Sequence, residues 1–189
     1  MKQLRICMYG AASDGVGQNY VEAVEALGRE IATHHHKLIY GGGASGLMGA
    51  VARGARSCGG DVIGVVPNFM SGFEPIFPDC TEIITTETMG QRKQIMEDNA
   101  DAFVIVPGGI GTFDEFFQVL TLAELERLHA PIVLLNVDGF YDNLIGVIDD
   151  GIEKGFVRPK ARTLFSVCEN SVQAIESIEA AILQPVGEN

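Results

Sequence analysis

The sequence predicts one domain built on an open parallel α/β sheet with helices on both faces. Three observations predict it. Short apolar runs alternate with longer segments whose apolar residues recur at helical spacing, the pattern of βαβ units. The run Ala102 to Val106 is apolar at every position, as a strand covered on both faces must be. Glycine-rich loops close several runs, and 23 glycines suit a fold with many tight turns. A chain of 189 residues is long enough to bury a full-sized core in one domain.

Arg5 to Tyr9 is the first strand, and Gly10 to Gly17 is its exit loop of small residues. Within that loop Ser13 and Asp14 can cap a helix or touch a ligand. A helix follows from Asn19 to His34, with Val21, Val24, Leu27 and Ile31 on one face. His34, His35 and His36 are consecutive near a helix end and point in different directions, which weighs against a metal site. Leu38 to Tyr40 is the second strand. Gly41-x-Gly43-x-x-Gly46 after it matches the dinucleotide fingerprint only in letters. That fingerprint belongs after the first strand, with an acid ending the next, whereas Asp61 opens the third strand. The stretch reads instead as a second helix start on the same sheet edge. Its helix, Gly46 to Cys58, places Arg53 and Arg56 on a solvated face.

Val62 to Val66 is the third strand. Asn68 to Asp79 has little periodicity and lies over the carboxyl edge of the sheet, so it reads as a lid or a pocket wall. Ile83 to Thr86 is a short fourth strand. On the helix after it, Met89 and Met96 share a face and Arg92 lies within one turn of both. Lys93 has a bland reading as the surface partner of Glu97 at i+4. The central strand stops at Pro107, and Gly108, Gly109 and Gly111 let the backbone turn and leave room for a ligand. Thr112 reads as the N-cap of a helix carrying Phe113, Phe116, Phe117 and Leu120 at helical spacing. A helix start offers unpaired N–H groups and about half a positive charge, which suits a phosphate. No Gly-Lys-Ser/Thr closes the loop, so it is not a Walker loop. Glu115 has two readings: Thr112-Phe-Asp-Glu115 fits a capping box, and an acid there could equally serve chemistry. Beyond it lie a sixth strand (Ile132 to Leu135), its exit loop (Asn136 to Phe140) and a helix (Tyr141 to Lys154). A last strand (Thr163 to Val167) and a closing amphipathic helix (Ser171 to Leu183) complete the chain.

The net charge of −12 argues against DNA or RNA as a partner. It also means that an anionic ligand must be held locally, by helix starts, backbone amides and a few placed cations. No apolar run approaches the roughly 20 residues that span a bilayer, and the N-terminus has no signal-peptide layout. Cys7, Cys58, Cys80 and Cys168 are far apart and form no metal-type pair. A cytoplasmic protein with reduced thiols, no membrane partner and no metal is the expectation.

Pro107-Gly-Gly-Ile-Gly-Thr-Phe-Asp-Glu115 resembles the PGGxGTxxE signature of the Lonely Guy family of cytokinin riboside 5′-monophosphate phosphoribohydrolases, whose members are often labelled lysine decarboxylases. Met89-x-x-Arg92-Lys93 and Gly41-Gly-Gly-x-x-Gly46-Leu-Met-Gly49 match two further elements, and Gly139-Phe-Tyr-Asp-Asn-Leu and Glu153-Lys-Gly-Phe-Val-Arg-Pro159 follow the same pattern. The resemblance implies a Rossmann-like fold, a homodimer and cleavage of the N-glycosidic bond of a nucleoside 5′-monophosphate, AMP or a cytokinin riboside monophosphate. It needs no cofactor. Carried over, Arg92 and Glu115 are catalytic. Gly108, Gly109, Ile110, Gly111, Thr112, Phe113 and Asp114 bind substrate, with Met89, Lys93, Thr121, Gly42, Gly43 and Ser13 as further contacts.

Ile110 and Phe113 stand where Tyr and Leu are frequent. Asn68 and Phe69 follow Pro67 where many members have an acid, and the loop near Ser13 differs from the usual Cys-Gly-Ser-Ser. These departures bear on the substrate more than on the reaction. The rival expectation is a non-catalytic nucleotide or molybdenum-cofactor carrier on the same fold, which needs neither Arg92 nor Glu115. Pyridoxal-type lysine decarboxylation is a poor third, because no lysine has a Schiff-base setting.

Overall fold

The computed structural model describes residues 2–72 and 74–183. Among these residues seven strands and six α-helices alternate except between β3 and β4: β1 (Arg5–Tyr9), α1 (Gln18–Thr33), β2 (Lys37–Tyr40), α2 (Gly46–Ser57), β3 (Val62–Pro67), β4 (Glu82–Thr86), α3 (Met89–Asn99), β5 (Ala102–Ile105), α4 (Ile110–Glu124), β6 (Ile132–Leu135), α5 (Asp142–Glu153), β7 (Ser166–Cys168) and α6 (Ser171–Leu183). All strand pairs are parallel, and the order across the sheet is β4-β3-β2-β1-β5-β6-β7. The predicted doubly covered parallel sheet is the one observed.

The continuous apolar runs have a two-sided cause. Ile6, Met8, Leu38, Tyr40, Val104 and Val133 face one core with α1, α2 and α6. Cys7, Tyr9, Ile39, Val65, Phe103, Ile105 and Leu134 face the other, with Met96 of α3, Phe116 and Val119 of α4 and Ile148 of α5. Helices α1 and α2 cross at backbone contact. A Cβ on Gly28 would lie 2.1 Å from the Val51 carbonyl oxygen, and one on Gly54 would lie 2.0 Å from that of Glu25. Only glycine permits that crossing.

Three local expectations change. The last strand is Ser166–Cys168, not Thr163 to Val167, because Pro159–Thr163 forms a 3₁₀ turn. Pro159 suits such a turn by its fixed φ. Asn68 to Asp79 is not wholly irregular: Asn68–Gly72 is 3₁₀, and Ile76 bridges to Gly43. Arg56 is half-buried and donates to the Gly60 carbonyl at 2.9 Å, so only Arg53 is on the solvated face.

The strand order reverses direction between β1 and β5, and both neighbours send their exit loops into the crevice there. The two loops stay zipped beyond the sheet. Val106 donates to the Tyr9 carbonyl at 2.9 Å, and Ala11 donates to the Pro107 carbonyl at 3.2 Å. The buried Tyr141 hydroxyl donates to the Val106 carbonyl at 2.6 Å, which pins the end of β5 from the other side.

Candidate active site

The crevice opens into a cleft of about 320 Å³. Gly10 to Ser13 form one lip, Gly109 to Thr112 and Glu115 the other, and Gly41, Met48, Met70, Glu74 and Arg92 close the far wall.

Helix α4 starts at Ile110 with Gly109 as N-cap, three residues before the expected Thr112 cap. Thr112 is therefore inside the helix and buried. The capping box of Thr112 and Glu115 does not form, and Glu115 turns towards Arg92 instead. Helix α3, by contrast, has a side-chain cap. There the Thr88 hydroxyl accepts from the Gln91 amide at 3.1 Å, and the Gln91 side chain accepts from the Glu87 amide at 2.9 Å. In the first turn of α4 the N–H groups of Ile110, Gly111 and Thr112 have no intrahelical acceptor. Among the described residues no other acceptor takes them. A Cβ at Gly109 or Gly111 would meet nothing within 4 Å, so this turn is bare on its open side.

The second expected helix start, at Gly46, is occupied. Ala11 accepts from the amides of Leu47 and Met48 at 2.9 and 3.2 Å, and the Asp14 carboxylate accepts from Gly46 at 3.1 Å. Start α2 thus holds the β1 exit loop in place and has no free amides for a ligand.

Helix α3 has no clean apolar stripe. Its buried residues are Arg92, Met96 and Glu97. Arg92 is 8% exposed, and its Nε donates to the Val65 carbonyl at 3.2 Å while a terminal nitrogen lies 3.4 Å from Glu115 Oε1. Gly41 is glycine because a Cβ there would fall 1.9 Å from the other terminal nitrogen of Arg92. Burial pushes the Glu115 carboxyl up to about 7, against the pull of the Arg92 guanidinium. A carboxyl so placed exchanges a proton near neutral pH. Lys93 does not pair with Glu97. Its Nζ reaches across to Asp114 at 2.9 Å, while Glu97 accepts from Gln118. Lys93–Asp114, Arg92–Glu115 and Glu97–Gln118 form a polar seam between α3 and α4.

The other expected contacts divide. Ser13, Gly109, Ile110, Gly111 and Thr112 line the cleft. Gly42 and Gly43 border a small hollow beside it, against Glu74, and Gly108 lines a hollow on the opposite side of the loop. Phe113 packs on the second core. Met89 and Thr121 are exposed outside the cleft, and Asp114 is largely exposed. Glu74 was missed by sequence reasoning. It lines the cleft from the predicted lid stretch, one of its oxygens is buried without a partner, and burial raises its carboxyl while Arg92 opposes the rise. An acid in an unpatterned stretch over the carboxyl edge was the available signal. His34 and His36 both bind Glu179 Oε1, at 2.9 and 3.1 Å, and tie α1 and β2 to α6. Among the described residues no group of three or more acidic, His or Cys side chains could hold a metal, and no helix is long and apolar enough to cross a membrane.

Residues 48–178 match the family model described as "Possible lysine decarboxylase". A cytokinin riboside 5′-monophosphate phosphoribohydrolase of Arabidopsis thaliana is 38% identical over 175 residues, 93% of this chain and 82% of the relative. A "Probable cytokinin riboside 5'-monophosphate phosphoribohydrolase" of Oryza sativa subsp. japonica is 38% identical over 181 residues, 96% of this chain and 74% of the relative. Among solved structures, the molybdenum cofactor binding protein of Rippkaea orientalis superposes with a TM-score of 0.75 at 20% identity, over 96% of this chain and 99% of that one. The molybdenum cofactor carrier protein of Chlamydomonas reinhardtii gives 0.72 at 26% identity, over 97% and 100%.

Proposed function

This chain belongs to the phosphoribohydrolase family of its plant relatives, the family whose model bears the lysine decarboxylase description, and from that membership we propose how its cleft works. The protein is a hydrolase of the N-glycosidic bond in an adenosine 5′-monophosphate, N6-modified or not, and releases free base and ribose 5-phosphate. The observation that carries the mechanism is the buried Glu115 carboxyl facing Arg92 one turn inside the bare start of α4.

In this reading the 5′-phosphate sits on the amides of Ile110 to Thr112, with Ser13 on the opposite lip. Its binding energy is remote from the bond being cut and positions the sugar over Glu115. As the C1′–N bond lengthens, positive charge builds on the ribose. The Glu115 carboxylate stabilises that charge and takes a proton from the attacking water. The water oxygen bonds to C1′, and the electron pair of the broken bond leaves with the base, which is protonated from solvent. Arg92, fixed at Nε by Val65, presents its remaining donors to a phosphate or sugar oxygen. Lys93 acts through Asp114, and Glu74 faces the ligand from the lid side.

Among the described residues no lysine lines the cleft, so a Schiff-base decarboxylase has no nucleophile among them. The carrier-like neighbours share the sheet, and a carrier gives no reason for a buried Arg–Glu pair. We also propose a homodimer. The polar seam runs the two helices in the same direction, and Met89 opens α3 as Ile110 opens α4. Phe117 stands two turns further along α4, and all three are exposed.

Incubation with AMP and with an N6-prenylated AMP tests the reaction. The expected products are free base and ribose 5-phosphate. The corresponding nucleosides should be poor substrates, and equal rates for them would remove the phosphate anchor from the mechanism.

A further inference from the structure

The cleft has a neighbour. A second hollow of about 220 Å³ lies across the glycine loop, walled by Val16, Tyr20, Leu47, Pro107 and Phe140. Ala11, Ser13 and Gly109 line both hollows. The contrast between them is chemical. Arg92, Glu115 and Glu74 face the cleft, whereas among the described residues no charged side chain lines the second hollow. The Tyr20 and Phe140 rings meet edge to face there, with centroids 6.1 Å apart and planes at 76°.

We propose that this hollow is a subsite for a flat, uncharged ring carried on the far oxygen of the ligand's phosphate. The protein then accepts nucleoside 5′-phosphodiesters bearing such a ring as well as monoesters. The inference rests on the reading that the 5′-phosphate sits at the start of α4.

Three observations carry it. A phosphate on the first turn of α4 touches Gly109 and Ser13, so its outer oxygen opens towards the shared wall. The size fits, since an apolar cavity of about 150 Å³ already holds one benzene. The aromatic and aliphatic walls favour a ring and, lacking a cation, give a second phosphate or a carboxylate no partner. The position also fits, because ligands with two such halves straddle the switch-point crevice of open α/β sheets. The chemistry at C1′ is unchanged. Water adds to C1′, the base leaves with the bonding electron pair, and the phosphodiester stays on the sugar.

The test compares the methyl and phenyl esters of AMP, which carry the same charge. Binding is measured by calorimetry and base release by chromatography, with AMP itself as reference. The wild-type protein should bind the phenyl ester about tenfold more tightly than the methyl ester, the gain expected for burying one ring. Val16→Trp fills the hollow from the start of α1 and should bring that ratio to about one, with AMP turnover unchanged. If that variant does not fold, Tyr20→Ala removes one wall and should lower the ratio in the same direction. A wild-type ratio near one, or a ratio that survives both substitutions, overturns the proposal. Failure to cleave AMP would overturn the hydrolase reading instead, and the binding ratio would still judge the hollow.

Discussion

Glu115 and Arg92 lie 23 positions apart in sequence and 3.4 Å apart in the fold. The spacing from Thr112 to Glu115 fitted a cap and a catalytic acid equally well, and the choice turned on where α4 begins. With the cap at Gly109, the carboxyl has no amide to serve and is buried against the guanidinium. Glu115→Gln should lower base release from AMP by at least about a hundredfold, the range of a lost general base. AMP affinity should stay within a few-fold, and wild-type turnover would take Glu115 out of the mechanism. Because the carboxylate is the working form, kcat/KM should rise with pH through about 7 in the wild type. The same shift has a sign for stability. The folded chain holds the Glu115 proton more tightly than the unfolded chain, so this group's contribution is present below about 4.5 and lost as pH rises through about 7. The loss amounts to roughly 3 kcal/mol at most. Urea melts at pH 5 and pH 8 should show a smaller difference for Glu115→Gln than for the wild type.

At the scale of elements, the glycines do two jobs that the sequence does not distinguish. Gly28 and Gly54 let α1 and α2 touch along their backbones, while Gly109 and Gly111 leave the start of α4 open. Gly54→Val should cost about 1–3 kcal/mol by overpacking the crossing. Gly111→Leu should leave the melting temperature near that of the wild type and raise KM for AMP more than tenfold, since its side chain enters open space. Equal stability losses in both variants would contradict this division. The Gly46 stretch read as a second helix start on the same sheet edge, and its amides are spent on Ala11 and Asp14. Helical period predicted that a helix starts there, but carried no information about which loop would lie over its end. The shift of β7 has a similar origin: Thr163 to Val167 is apolar enough for a strand, but the turn from Pro159 uses its first residue.

At the scale of the molecule, a chain of net charge −12 has to hold an anion with short-range groups alone. The proposed anion site lies where the sheet order reverses, and there two exit loops and one bare helix start converge on one cleft. The exposed Met89, Ile110 and Phe117 lie on the helices that carry Arg92 and Glu115. Phe117→Asp combined with Ile110→Asp should therefore turn a dimer into a monomer in sedimentation. A wild-type monomer at micromolar concentration would remove the dimer.

The sequence by itself determined the strands, the helices, the doubly covered parallel sheet and the family, because side-chain periodicity and the PGGxGTxxE-like stretch are local patterns. Tertiary structure alone decided that Lys93 serves Asp114 rather than Glu97, that Glu74 enters the cleft and that the α2 start is occupied while the α4 start is bare. The reason is physical. Each of those outcomes depends on which donor reaches which acceptor across elements far apart in the chain, and packing sets such distances where spacing along the chain cannot.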